Sequence, residues 1–295
     1  MASGGPATGV NLTFAAMLVF PCAKINLGLN VVRLRTDGYR DIESVLVPIP
    51  LCDALEAVVD PSLEAGQVAV TRSGRPVPGD AGDDLVARAY RLVHARHPLP
   101  GLQVHLHKAI PIGAGLGGGS SDGAHMLQLL DRLFDLGLAP AVLHELAAQL
   151  GSDPPFFLQR GPCLAEGRGE RLTPLPLALD GLWLVLVDPG IHVSTAEVYA
   201  RTRPSGASVD LPAILRDPVG TWQGRLLNGM EEAVFTLHPA IGRIKRALLG
   251  AGAAYASMSG SGSSVFGLFT EQPRFAPLTF GAPHWTLPLG AGQEA

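Results

Sequence analysis

Pro111-Ile-Gly-Ala-Gly-Leu-Gly-Gly-Gly-Ser-Ser-Asp-Gly-Ala124 decides the reading of this chain. Ahead of it, Leu102–Ile110 places Leu102, Val104, Leu106 and Ile110 on even positions, the alternation of a strand with one buried face. Behind it, His125–Leu136 repeats Met126, Leu127, Leu129, Leu130, Leu133, Phe134 and Leu136 at helical spacing. Five glycines within seven residues therefore join a strand to the start of a helix. Without Cβ atoms the backbone N–H groups can converge on one point, where the helix end adds positive potential. That arrangement holds phosphate. A merely flexible turn is not expected so tightly between two apolar elements. No Lys follows the last glycine, so the loop is not a Walker A. Gly113–Gly118 satisfies G-x-G-x-x-G, but a dinucleotide site needs a strand after the helix, with an acid at its end. Here Gly137-Leu-Ala-Pro140 leads instead into a second helical stretch, Ala141–Leu150, which argues against a Rossmann unit.

The chain has 295 residues, 47% of them hydrophobic, enough for a large core in one or two domains. Its 22 basic and 26 acidic residues give a net charge of −4, with no basic block to suggest nucleic acid. No apolar run is long enough to suggest a membrane span. Cys22, Cys52 and Cys163 are far apart and odd in number, which suggests neither a disulfide framework nor a zinc site and fits a reducing cytoplasm. Nine histidines include no H-E-x-x-H; His105 and His107 share a strand face, read as solvated rather than metal-binding. Only Lys24, Lys108 and Lys245 are lysines, against nineteen arginines, which singles each of them out for a specific role.

Met1–Ala16, small and glycine-bearing, lacks the character of a signal peptide and reads as a disordered extension, with Met17 an alternative start. In Leu18–Leu34, Ile25, Leu27, Leu29 and Val31 alternate with Lys24, Asn26, Gly28 and Asn30. Lys24 and Asn26 thus share the non-core face, with open space expected at Gly28; a solvated face and a site are equally good readings. Thr36-Asp-Gly-Tyr39 turns the chain into a second strand, Ile42–Pro50, as in a hairpin. Short strands are expected at Asp53–Val59 and Gln67–Thr71, and an amphipathic helix at Asp83–Arg96. Asp153 before Pro154 reads by itself as a helix N-cap. Glycine, charge and proline rise around Gly161–Pro176, marking a lobe boundary. The second lobe then offers the strand Trp183–Val187 and a helix beginning near Val193, capped by Ser194 or Thr195. Helices at Asn228–Leu237 and Pro239–Leu249 follow, and Ser257–Ser264 is a glycine–serine loop, expected to wall the site, running into the strand Val265–Phe269.

Together Pro21–Leu29, Pro111–Ala124, Gly151–Phe157 and Met258–Val265 resemble the ordered motif series of the GHMP kinases, from about Phe20 to Phe269. Asp37-Gly-Tyr39 and Pro189-Gly190 narrow the resemblance to the branch whose acceptor is a cytidyl-diphosphate derivative of methylerythritol. The resemblance implies a two-lobed α+β fold of the α/β class, with a first lobe like the second domain of ribosomal protein S5 and a ferredoxin-like second lobe. The corresponding divisions are residues 1–16 for the extension, 17–165 for the ATP and substrate lobe, and 166–290 for the C-terminal lobe. It implies ATP and Mg²⁺, a small-molecule acceptor phosphorylated on its 2-hydroxyl, and a cytoplasmic enzyme without nucleic-acid or membrane partners. By motif position Lys24 and Asp153 take the catalytic roles. Pro111, Ile112, Gly113, Ala114, Gly115, Leu116, Gly117, Gly118, Gly119, Ser120 and Ser121 wrap the ATP phosphates. Asn26, Tyr39, Arg40 and Tyr199 fall around the cytidyl-diphosphate acceptor. No residue is assigned to a metal. Three positions depart from the family pattern: Arg40 stands where His is usual, Cys22 where Asn is common, and Pro154 where Cys or a small apolar residue is.

The residue types suit the chemistry, because phosphoryl transfer needs positioning and charge neutralisation more than covalent help. Asp153 can take the hydroxyl proton while Lys24 holds that carboxylate ionised. Two rivals follow from the same residues: another small-molecule kinase of the superfamily, of homoserine or mevalonate type, and a non-catalytic nucleotide-binding relative. Asp37-Gly-Tyr39 argues against the first, and retention of Lys24, Asp153 and the whole glycine loop against the second.

Overall fold

The computed structural model describes residues 16–276 and 279–290. Fifteen residues of the expected extension lie outside that span, and its last, Ala16, opens the first strand. In chain order the elements begin with β1 (Ala16–Val19), β2 (Cys22–Leu34), β3 (Arg40–Cys52), β4 (Ala54–Val59), β5 (Val68–Gly74), α1 (Leu85–His94) and β6 (Leu102–Lys108). Then come α2 (Gly118–Leu133), α3 (Pro140–Leu150), β7 (Cys163–Gly167), β8 (Arg171–Pro174), β9 (Trp183–Val187), α4 (Thr195–Arg201) and α5 (Leu211–Leu215). The chain ends with α6 (Glu231–Leu237), α7 (Pro239–Gly250), β10 (Tyr255–Met258), β11 (Val265–Phe269) and β12 (His284–Pro288). The stretch expected as one strand from Leu18 is divided at Phe20-Pro21, where the proline ends ladder pairing, into β1 and β2.

Three four-stranded sheets make an α+β molecule of two lobes. In the order β1-β4-β6-β5 the β5–β6 pair is parallel and the others antiparallel. The sheets β2-β3-β7-β8 and β10-β11-β9-β12 are antiparallel throughout. β9 shows why the layers stack as they do. Leu184 and Leu186 face a core shared with Ile25, Leu27, Val45 and Ile49 of β2 and β3, whereas Val185 and Val187 face α4, α6 and α7. A strand buried on both faces needs an unbroken apolar run, and Trp183-Leu-Val-Leu-Val187 supplies one. The first sheet packs its Leu102, Val104 and Leu106 face on α1, α2 and α3.

β7 crosses the expected division at residue 165, and its sheet continues to Pro174 through β8. The lobes are stitched by backbone: Leu29 N donates to Leu227 O at 2.9 Å, and Gly229 N donates to Leu29 O at 2.8 Å. The hairpin of β2 and β3 also pairs Cys22 with Cys52, so two cysteines far apart in sequence are neighbours. His105 and His107 share Ser73 Oγ, each at 2.9 Å, on an exposed strand face.

Candidate active site

The helix expected from His125 starts at Gly118, inside the glycine run. Gly117 is its N-cap with φ 70°, a conformation that a Cβ would strain. The first-turn N–H groups that follow have no acceptor within the helix, and Gly118, Gly119 and Ser120 line the smaller cavity. Gly115 is required for a different reason: a Cβ there would lie 2.0 Å from Ser259 O. The two glycine–serine loops therefore pack back to back. Ser264 N donates to Ala114 O at 3.1 Å, and Ser259 Oγ to Gly115 O at 2.9 Å. The loop separates two cavities. One, of about 330 Å³, is lined by Pro111–Ser120 with Val77, Leu85 and Lys108. The other, of about 450 Å³, is lined by Lys24, Asn26, Asp153, Arg168, His192 and Tyr199, and shares Gly113, Gly115 and Gly117 with the first.

Beneath the loop lies a buried ionic group. Lys108 Nζ donates to Asp122 Oδ2 at 2.5 Å and to Asp53 Oδ2. Asp53 Oδ1 in turn accepts from Ala109 N at 2.6 Å and Ile110 N at 2.9 Å, the amides just ahead of the loop. One cation serves two carboxylates. Burial, opposed by Lys108 and aided by the second carboxylate, pushes Asp122 up to about 8. Its Oδ1 is buried without a hydrogen-bond partner.

On β2, Lys24 and Asn26 do not form a solvated face: they are 5% and 4% exposed. Lys24 Nζ donates to Asn26 Oδ1 at 2.7 Å and to Gly115 O at 2.8 Å. Asn26 Nδ2 donates to Ser44 Oγ at 2.8 Å, and Ser44 Oγ to Gly28 O at 2.6 Å. Gly28 leaves no open space, since a Cβ there would lie 2.8 Å from Leu226 Cδ1. That space is filled from the C-terminal lobe. Burial pushes the Lys24 ammonium below the usual lysine range, and the Asp153 carboxylate opposes the shift.

Asp153 precedes the 3-10 turn Pro154–Leu158 but makes no side-chain cap bond to it. Its carboxylate lines the larger cavity. It acts on its neighbours through its charge: with burial, it raises Tyr199 above the usual phenol range, against the influence of Arg40. The Arg40 guanidinium lies 5.5 Å from the centre of the Tyr199 ring, with its Nε buried and unpartnered. Tyr39 is 57% exposed at the rim, with the Arg168 guanidinium 4.8 Å from its ring centre. Thus Lys24, Asn26, Asp153 and Tyr199 line one cavity, Arg40 backs its wall, and Tyr39 stands outside.

Several contributors were missed in the sequence. Asn228 Nδ2 donates to Met258 O at 2.9 Å and Gly260 O at 2.8 Å, while its Oδ1 accepts from Met230 N at 2.9 Å. It holds the second glycine–serine loop. Glu231 joins it, accepting from Met258 N at 2.9 Å and from Lys245 Nζ at 2.5 Å. Thr195 Oγ1 and Ser261 Oγ lie 2.9 Å apart across the same loop. Each of the three lysines therefore sits in a buried or half-buried polar clamp, which their scarcity had singled out without saying where. Arg168 carried no comparable signal. Among the described residues no group of three His, Cys, Asp or Glu forms a metal cluster, and no helix is long and apolar enough to cross a membrane.

A glycine loop at a helix start, backed by a second loop, thus lies beside a buried lysine and a carboxylate that makes no cap bond, and the chain also matches two family models. Residues 84–161 match the GHMP kinases N-terminal domain and residues 213–276 the GHMP kinases C-terminal domain. The chain is a GHMP kinase. A relative from Parabacteroides distasonis is 45% identical over 259 residues, covering 88% of this chain and 94% of its own, and is named 4-diphosphocytidyl-2-C-methyl-D-erythritol kinase. Another so named, from Azobacteroides pseudotrichonymphae, is 48% identical, covering 88% of this chain and 95% of its own. A crystal structure of 4-(cytidine 5'-diphospho)-2C-methyl-D-erythritol kinase superposes with a TM-score of 0.77 at 33% identity, covering 94% of this chain and all of that one. Within the GHMP kinases, the chain belongs to the 4-diphosphocytidyl-2-C-methyl-D-erythritol kinase family. Homoserine kinase from Cytophaga hutchinsonii, at 19% identity and a TM-score of 0.66, shares the fold.

Proposed function

We propose that this enzyme transfers the γ-phosphoryl group of ATP to the 2-hydroxyl of 4-diphosphocytidyl-2-C-methyl-D-erythritol, with Asp153 as the base and Lys24 as its electrostatic partner. The observation that carries this reading is the Asp153 carboxylate. It lines the cavity that Lys24 also lines, without a cap bond to hold it, across a glycine loop from a second cavity. ATP phosphates fit the loop because Pro111–Ser121 offers unpaired helix-start amides, and a Cβ at Gly119 would meet nothing within 4 Å. Mg²⁺ suits the same place: the Ser120 hydroxyl is a hard oxygen donor on the cavity wall, and phosphates and water complete such a shell. When bound, Mg²⁺ supplies neutralisation of the phosphate charge.

The acceptor takes the larger cavity. Asp153 accepts the hydroxyl proton as the oxygen attacks, and Lys24, held by Asn26 and Gly115, places its positive charge within electrostatic reach of that carboxylate. Asn26, Tyr39, Arg40 and Tyr199 are the residues we assign to acceptor recognition, with a guanidinium at residue 40 able to donate to the O2 and N3 acceptors of cytosine. An enzyme drawing on ATP and a nucleotide-linked acceptor works where those pools are, and the cytoplasm is the location we assign.

Asp153→Asn tests the mechanism by single-turnover phosphoryl transfer at saturating ATP and acceptor. Asn is nearly isosteric and cannot take the proton, so kcat is expected to fall about 10²–10⁴-fold, toward the lower end for a loose transition state. The melting temperature and ATP affinity should hold. Near-normal turnover would remove Asp153 from the chemistry. The acceptor is tested separately by ADP release with homoserine, mevalonate and the cytidyl substrate, where only the last should be turned over.

A further inference from the structure

The β2–β3 hairpin brings together two thiols that phosphoryl transfer does not use. Cys22 and Cys52 are register partners on adjacent antiparallel strands, and their Sγ atoms lie 2.6 Å apart. Neither is fully buried. The pair is held from both sides. Asp53 N donates to Pro21 O at 2.9 Å, and Ala23, directly after Cys22, is fully buried. The two cysteine backbones thus lie side by side at the end of the ladder, next to a register shift between Cys22 and Ala23. Directly opposed residues of antiparallel strands have Cα atoms about 4.5–5.5 Å apart, within the roughly 4.4–6.8 Å that a disulfide spans.

We propose that Cys22 and Cys52 form a reversible dithiol–disulfide site that is closed by a small-molecule disulfide of the glutathione type. The Cys22 thiolate attacks one sulfur of the oxidised glutathione, forming a mixed disulfide and releasing one glutathione thiolate. The Cys52 thiolate then attacks the Cys22 sulfur, the Cys22–Cys52 bond forms, and the second glutathione leaves. Two protein thiols are oxidised, one disulfide is reduced to two thiols, and the two protons pass to the departing thiolates. Either sulfur can donate across this contact. The contact lowers the Cys22 thiol and raises the Cys52 thiol, so Cys22 is the attacking sulfur. Cys163 is a built-in control, buried and pushed up to about 11. Closure ties the strand carrying Lys24 to the strand end at Asp53, which holds Lys108 and the amides ahead of the glycine loop.

The test incubates reduced full-length protein with excess oxidised glutathione, then counts thiols after denaturation and maps linked peptides by mass. The expected result is a fall from three thiols to one, with a loss of two hydrogens and no retained glutathione. One cross-linked peptide pair should contain residues 22 and 52, never 163, and dithiothreitol should reverse it. C163A should behave like the parent, whereas C22S and C52S should give no internal bond. The oxidised form should also melt at higher temperature than the reduced one. Three surviving thiols, a stable glutathione adduct without closure, or a bond involving Cys163 would each overturn the proposal, and the parent protein alone suffices to read them.

Discussion

Asp122→Asn should stabilise this protein increasingly as pH rises. Lys108 carries one positive charge between Asp53 and Asp122, and all three are buried. The site therefore holds one negative charge too many, and Asp122, pushed up to about 8, keeps its proton at neutral pH. In the unfolded chain the same carboxyl gives up its proton near 3.8. Between those values the folded state binds one more proton, so stability falls as pH rises through the window and levels off above it. The full slope is about 1.4 kcal/mol per pH unit, or at most about 2.7 kcal/mol between pH 5 and pH 7. Asn cannot titrate, and its amide oxygen can keep the bond that Lys108 makes to Oδ2 at 2.5 Å. Urea melts of both proteins at pH 5, 6, 7 and 8 isolate the effect as a difference of curves, free of contributions from other carboxylates. That difference should move toward the variant by about 1–3 kcal/mol from pH 5 to pH 7. Lys108→Met is the opposite perturbation: it strands two buried carboxyls and should cost about 3–5 kcal/mol. Parallel curves for parent and Asp122→Asn would refute the reasoning, because they would mean that Asp122 is ionised throughout and shares the lysine equally with Asp53.

Gly117→Val would force a β-branched residue to φ 70°, with its Cβ 2.8 Å from Phe157 Cζ; calorimetry should show ATP affinity reduced at least about tenfold, or 1.4 kcal/mol. Arg40→Ala removes the guanidinium packed on Tyr199. It should raise the acceptor KM about tenfold while leaving the KM for ATP unchanged, as steady-state titration of each substrate would show. Asn228→Ala strands the carbonyls of Met258 and Gly260 and the amide of Met230. Urea melts should show a loss of about 2–4 kcal/mol, with a lower kcat from the loosened loop.

What was legible in the sequence was what local chemistry decides. The glycine run announced a loop between a strand and a helix start, because no other residue type offers so many bare amides together. Trp183–Val187 and Val265–Phe269 were readable to the residue, since strands buried on both faces carry uninterrupted apolar runs. The helix start was not legible. Glycine is a poor helix former, so periodicity suggested His125, yet the chain is helical from Gly118. Packing overrides propensity there: a Cβ at Gly123 would lie 3.0 Å from Leu85 and 3.2 Å from Leu150, and Asp122 is held by Lys108. β7, β8 and β12 are short, and their pairing is set by distant strands rather than by their own pattern.

The site was legible as motifs and illegible as an assembly. Alternation on β2 located Lys24 and Asn26 on one face, but whether that face met water depended on a loop more than two hundred residues away. Ser259 reaches Gly115 O at 2.9 Å, the same carbonyl that Lys24 Nζ reaches at 2.8 Å. A lysine and a serine from two distant segments thus converge on one backbone carbonyl of the glycine loop. Ala114 and Leu116 anchor the loop in the core, while its glycines are supported from behind, by Lys24 and Ser259 on one side and by Asp53 through Ala109 and Ile110 on the other. Catalysis by positioning requires such external support, because amides that wander by an ångström lose the near-attack geometry. Substitutions behind the loop should therefore lower turnover without touching either substrate.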